Sequence, residues 1–492
     1  MRVLFASSEI YPLAKTGGLA DVAGALPAAL AKSGVDLRLL MPAYRGIAAA
    51  AQAKPVGNLG DPFGRGDAII LEGRMPDSGL PVWLIDNPAL YDRDGGPYQD
   101  SHGVDWPDND IRFALLGWTA ARLAQGNSPF DWKPDIIHAH DWQAGLAPAY
   151  LQAWGGPRPG TVFTIHNMAY QGGFPKEVLP SLGLPWSFFT MDGLEFWDRV
   201  SYLKAGLAYS DRLTTVSPTY AHEIQGAPNG FGMEGLLSWR SKDLSGILNG
   251  ADYSIWNPAT DPHIAQIYDP ASLQAGKAAN KAALQAELGL PQIPDAPLMI
   301  VVSRLSDQKG MDLLLGILPS LLAQGAQLAL LGTGEKRMED ALRTLAQNRP
   351  DQVAARIGFS EPMAHRLVAG GDMLMMPSRF EPCGLTQIYA LRYGTLPVVH
   401  RTGGLADTVV DATYDSLLNG SATGFVFDQA TGPAFQWCAE RAIALYRHPE
   451  QWRRIQTRAQ QVEFTWDKAA AQYLALYKDV GPGIRPRAGN RT

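Results

Sequence analysis

Short apolar runs alternate with stretches of helical period along the whole chain, the pattern of mostly parallel sheets covered by helices on both faces. In the first half, strands are predicted at Val3 to Ala6, Leu37 to Met41, Val82 to Ile85, Ile136 to Ala139, Val162 to Ile165 and Leu213 to Val216. In the second half they are predicted at Met299 to Val302, Leu328 to Leu331, Met373 to Met376, Pro397 to Val399 and Phe425 to Phe427. A helix from Leu19 to Lys32 is ended by Ser33-Gly34, and a last helix runs from about Trp466 to Tyr477. The fold class is therefore α/β.

Periodicity lapses between Gly246 and Pro270, a stretch rich in Asn, Asp, Pro and Gly, and the domain boundary is placed there. One heptad recurs: Lys15-Thr-Gly-Gly-Leu-Ala-Asp21 returns as Arg401-Thr-Gly-Gly-Leu-Ala-Asp407. Both copies follow a predicted strand by a loop. Two related halves, each offering the loops at its strand C-termini to one cleft, explain the repeat.

A length of 492 residues exceeds what one core usually organises, which agrees with two domains. The net charge of -6 supplies no basic field for nucleic acid or anionic lipid, so neither is expected as a partner. Two cysteines, Cys383 and Cys438, are too few for a disulfide framework. The start, Met1-Arg2-Val3-Leu4-Phe5-Ala6, meets Glu9 before an apolar signal core is built, and no run is long enough to span a bilayer. A cytoplasmic protein is expected.

The motifs lie at strand ends. Gly17-Gly18 follows the first strand and opens a helix, where amides without side chains suit a phosphate and Lys15 adds charge; a plain tight turn is the simpler alternative. The pattern matches neither the dinucleotide fingerprint nor the Walker lysine motif. Arg304 and Lys309 follow the strand at Met299 to Val302, two cations placed for a diphosphate or else merely solvated. Gly332-Thr333-Gly334-Glu335 ends the next strand with small residues and a carboxylate within reach of a ribose. His138, His140 and Asp141 raise the question of a metal, against which stands the lack of a further His or Cys cluster. Thr164-Ile-His166-Asn167 closes another strand. The richest segment, Ser378-Arg-Phe-Glu-Pro-Cys-Gly-Leu-Thr386, sets Glu381 on a tight turn above helix amides; Cys383 has no His-based activating partner in sequence.

Together these motifs resemble the bacterial glycogen and starch synthases, and the resemblance runs from Val3 to about Tyr477. It implies a GT-B fold: a Rossmann-like domain over residues 1–248, a second over 249–464, a helix over 465–480 crossing back to the first, and a flexible tail over 481–492. The active site is expected in the cleft between the two domains. It implies a retaining transfer of glucose from ADP-glucose to the non-reducing end of an α-1,4-glucan, with no cofactor and no metal. By similarity, Lys15 and the Gly18 amide meet the donor phosphates, and Arg304 and Lys309 neutralise the diphosphate. Glu381 and His166 hold the transferring glucose. Asp21, Tyr98, Asp141, Asn167 and Asn249 line the sugar or shape the cleft, Cys383 and Gly384 belong to the Glu381 loop, and Leu385 and Thr386 offer amides to phosphate. Gly334 and Phe359 stand on the nucleotide side, with Phe where some relatives carry Tyr under the adenine. Glu381 is open to two roles, nucleophile or electrostatic stabiliser. Rival readings are a related transferase using UDP-glucose or a small acceptor, and a catalytically dead glucan or nucleotide sensor.

Overall fold

The computed structural model describes residues 1–125 and 130–481, so the tail expected over 481–492 falls, from 482 on, outside the described residues. The chain divides into two units. Unit 1 comprises residues 1–250 together with 466 onward, and unit 2 is the continuous run 251–465. No described helix is long and apolar enough to cross a membrane.

Unit 1 is built on strands β1 (Arg2–Ala6), β2 (Asp36–Pro42), β3 (Lys54–Asn58), β4 (Ile69–Arg74), β5 (Pro81–Asp86), β6 (Ile136–His140) and β7 (Gly160–Ile165). A small antiparallel sheet of β8 (Gly173–Pro175), β9 (Glu195–Phe196) and β10 (Arg199–Ser201) follows, and β11 (Arg212–Thr215) and β12 (Leu244–Gly246) complete the main sheet. Its order is β12-β11-β7-β6-β1-β2-β5-β4-β3, parallel except at β4, which runs against both neighbours. The central strands are apolar on both faces because helices cover both. Among these is Gly18–Lys32, which turns Leu19, Val22, Ala23, Leu26 and Leu30 inward and stops where Gly34 takes a φ of 85°. The last helix, Trp466–Val480, packs on Gly18–Lys32 and β7.

Unit 2 carries β13 (Leu298–Val302), β14 (Gln327–Gly332), β15 (Val353–Ile357), β16 (Met373–Met376), β17 (Leu396–His400) and β18 (Phe425–Phe427), in the parallel order β15-β14-β13-β16-β17-β18. Alternation sends Met299 and Val301 to one hydrophobic cluster, Leu298 and Ile300 to another. Helices therefore close both faces, and truncating a side chain such as Leu330 to Ala would cost about 2–5 kcal/mol.

All eleven predicted strands are present. The strands not predicted are β3, β12 and β15 at sheet edges, the interior β4 and the short β8, β9 and β10. An edge strand has one flank without a partner and need not be an apolar run, although β18, also an edge, is buried throughout and was predicted. Both sheets also have a point where strand order reverses, between β1 and β6 in unit 1 and between β13 and β16 in unit 2. In each sheet, the loops leaving the C-terminal ends of its own two strands border a crevice of the kind where such sheets bind ligands.

Candidate active site

In unit 1 the crevice is bordered by the loop after β1. Lys15 pairs with Asp21 at 2.7 Å. Gly17 precedes the helix with no side-chain cap, and a Cβ on Gly17 or Gly18 would meet nothing within 4 Å, so this face of the loop is open. The Tyr98 hydroxyl donates to Glu9 at 2.6 Å and lies 2.8 Å from the Ser8 hydroxyl.

After β6, Asp141 adopts a φ of 54°, a left-handed conformation that Asp tolerates better than most residues. The turn aims its carboxylate at the end of β7, where it accepts the His166 amide at 2.7 Å. Burial pushes its pKa up to about 7, against the pull of the His166 and Asn167 amides. His166 is buried too, and burial lowers its pKa to about 3, so its imidazole is neutral. Its Nε2 lies 3.0 Å from Nδ1 of His140. His138 is engaged at both ring nitrogens, by the Tyr477 hydroxyl at 2.7 Å and the Thr164 hydroxyl at 2.6 Å. Among the described residues no group of three or more His, Cys, Asp or Glu is arranged to hold a metal. Asn167 caps its own turn by accepting the Ala169 amide, and Asn249 is buried with an Oδ1 that meets no hydrogen-bond partner among the described residues.

In unit 2 the loop after β13 carries Arg304, exposed beside Gln308, and Lys309. Gly310 takes a φ of 67°, and a Cβ there would overlap the Pro377 carbonyl. That close approach lets Lys309 reach the loop after β16, where its ammonium meets Glu381 Oε2 at 2.6 Å. The same oxygen accepts the Ser378 hydroxyl at 2.9 Å, and the Ser378 carbonyl accepts His400 Nδ1 at 2.8 Å. Arg379 does not join them; it clamps Asp312 through two bonds of 2.7 Å.

The repeated heptad acquires a different duty in each unit. Gly403, at a φ of 42°, backs onto the Glu381 carbonyl so closely that a Cβ would overlap it, and the Gly404 amide donates to that carbonyl at 3.1 Å. The first copy faces open space and the second props the Glu381 loop. Cys383 is buried in that loop, Gly384 takes a φ of 71°, and Leu385 precedes the short helix that begins at Thr386. Gly334 bridges to Leu305, holding the loops after β14 and β13 together. Glu335 accepts the Asp307 amide and pairs with Arg337. Phe359 is 79% exposed after β15.

Residues 2–239 match the family model described as starch synthase catalytic domain, and residues 289–461 match glycosyl transferases group 1. A glycogen synthase of Paramagnetospirillum magneticum is 61% identical, over 98% of each chain. This chain belongs to the glycogen synthase family. A second glycogen synthase, from Rhodospirillum rubrum, is 51% identical over 97% of this chain and 98% of its own. Among solved structures, the catalytic domain of starch synthase IV from Arabidopsis thaliana, bound to ADP and acarbose, superposes with a TM-score of 0.87 at 33% identity, covering 97% of this chain and 99% of that one. Two doubly wound α/β domains of this kind are the GT-B fold of the glycogen synthases.

Two side chains of this glycogen synthase family member are given no role by the motifs. Ser378 lies inside the Glu381 segment, but only the folded loop shows its hydroxyl on the carboxylate. Glu9 is a charged residue at the end of a buried run, a signal that was present in the sequence.

Proposed function

We propose that this chain transfers glucose from ADP-glucose to the non-reducing end of an α-1,4-glucan with retention at the anomeric carbon. The observation that carries this reading is the Lys309–Glu381–Ser378 arrangement at the strand-order reversal of unit 2, with Arg304 on the neighbouring loop. The ADP and acarbose of the starch synthase structure supply the substrate classes: a nucleoside diphosphate sugar and an α-glucan.

In this reading Arg304 and Lys309 meet the charge that develops on the departing diphosphate, the work a divalent ion would otherwise do. Lys15 and the Gly18 amide address the phosphates from the open face of their loop. His166, held neutral by burial, acts as a hydrogen-bonding group to the sugar rather than as a cation. Glu381 has one oxygen fixed by a cation and a hydroxyl, which supports an electrostatic role beside an oxocarbenium-like centre. The departing diphosphate then accepts the acceptor's proton on the same face of the sugar. Phe359 offers an exposed aromatic face to the adenine. A cytoplasmic location, with Cys383 and Cys438 reduced, belongs to the same proposal.

Incorporation of labelled glucose into glycogen, from ADP-glucose and UDP-glucose side by side, tests it. A higher kcat/KM with ADP-glucose is expected. A higher value with UDP-glucose overturns the donor, and no incorporation from either overturns the activity.

A further inference from the structure

The loop bearing Lys15 and Gly18 is held from its inner side by Glu9, which is only 3% exposed. Oε2 of Glu9 accepts the amides of Thr16 and of Gly17, the latter at 3.3 Å. Oε1 accepts the Tyr98 hydroxyl at 2.6 Å. Tyr98 is itself fixed, because its carbonyl accepts Asn109 Nδ2 at 2.9 Å and the Trp106 amide at 3.0 Å. One carboxylate thus ties the loop to an independent part of unit 1.

The backbone of Gly17 turns this anchor into an orientation. With φ of -152° and ψ of -165° Gly17 is extended, and successive amides of extended backbone point to opposite sides. Capturing the Gly17 amide on the inner side turns the Gly18 amide the opposite way, in a loop where a Cβ on either glycine would meet nothing within 4 Å. A carboxylate suits the task because it accepts several donors at once and donates nothing when ionised. Its negative charge beneath a phosphate loop is otherwise counterproductive; burial raises its pKa, its bonds to Tyr98, Thr16 and Gly17 oppose that rise, and nearby Asp21 adds to it.

We infer that Glu9 is a positioning residue for glucosyl transfer: by holding the Thr16 and Gly17 amides and the Tyr98 hydroxyl, its carboxylate turns the Gly18 amide and Lys15 toward the donor phosphates. This rests on the donor-phosphate reading of that loop given above. Three variants of the full chain separate shape from charge. Gln is isosteric, so its Oε1 serves the two amides while its Nε2 donates to the Tyr98 oxygen. Asp keeps the charge but is a methylene too short to span both anchors, and Ala removes them.

Steady-state kinetics with ADP-glucose and glycogen, and calorimetry with ADP, supply the readouts. Glu9→Ala and Glu9→Asp should raise the KM for ADP-glucose and the Kd for ADP about tenfold or more, with the KM for glycogen within about twofold of the parent. Glu9→Gln should stay within about threefold on every constant. If Glu9→Ala does not fold, the Asp and Gln variants decide. Parental donor constants in Glu9→Asp, equal rises in both KM values, or a Gln variant as impaired as the Asp variant would each overturn the positioning role. A parent that neither turns over nor binds ADP would overturn the functional reading instead, before any variant is compared.

Discussion

The ammonium of Lys309 lies 2.6 Å from Oε2 of Glu381, and both side chains are largely withdrawn from solvent, 16% and 7% exposed. Removing one partner of such a pair leaves a buried charge uncompensated, at a cost of about 3–5 kcal/mol. Lys309→Ala should therefore lower the Tm of unit 2 as well as turnover. Glu381→Ala and His166→Ala, which act on the reacting sugar in the proposed mechanism, should lose kcat by roughly two orders of magnitude or more while the circular dichroism of the fold persists. Near-normal turnover in either would sink the assignment.

Alanine should affect stability differently in the two copies of the Gly-Gly heptad, tested at its first glycine in the second copy and its second glycine in the first. Gly403→Ala drives a methyl into the Glu381 carbonyl at a positive φ, so loss of both stability and activity is expected. At Gly18, the first residue of its helix, Ala has room and a better helical propensity, and Tm should hold or rise slightly. Its methyl would stand where the donor phosphate is proposed to approach, so the KM for ADP-glucose should rise. A Tm loss at Gly18 equal to that at Gly403 would refute the division of labour.

Asp141 makes a pH prediction. Its carboxyl keeps a proton up to about pH 7 in the native state, against an ordinary value of 3.8. Between those values the native state binds more protons than the unfolded chain, so stability falls as pH rises from about 4 to about 7. Asp141→Asn can still accept the His166 amide and carries no charge. Melting curves should show the variant gaining on the parent as pH goes from 5 to 8. A constant difference across that range would mean the carboxylate is ionised throughout.

Arg304 and Lys309 take the place of a divalent ion in the proposed mechanism, and His138 already has partners on both ring nitrogens. Activity should survive excess chelator. Complete loss, restored by one specific cation, would reopen the metal reading of His138, His140 and Asp141.

Strand identity was legible where a strand is buried on both faces, since β13 or β16 can only be an apolar run. β3, with the sequence Lys-Pro-Val-Gly-Asn, has no such obligation at its edge and left no trace. Motif residues were legible because they cluster locally: Glu381 with Gly384, and Lys15 with Gly18. Contacts between distant segments were not. Nothing in Gly403 announces that it presses on Glu381, nor in Tyr98 that it holds Glu9, because those approaches exist only once the sheets set which loops adjoin.

The helix Trp466–Val480 belongs to unit 1, although all of unit 2 precedes it in the chain. On the ribosome, every residue of the second unit therefore emerges before the first can be finished. Until the C-terminus is released, the buried imidazole of His138 lacks its Tyr477 hydroxyl, and the helix Gly18–Lys32 lacks the surface that covers it. A nascent chain that ends just before Trp466 carries a whole second domain and an incomplete first one. Quality control at the end of synthesis would then fall on the half that was made first.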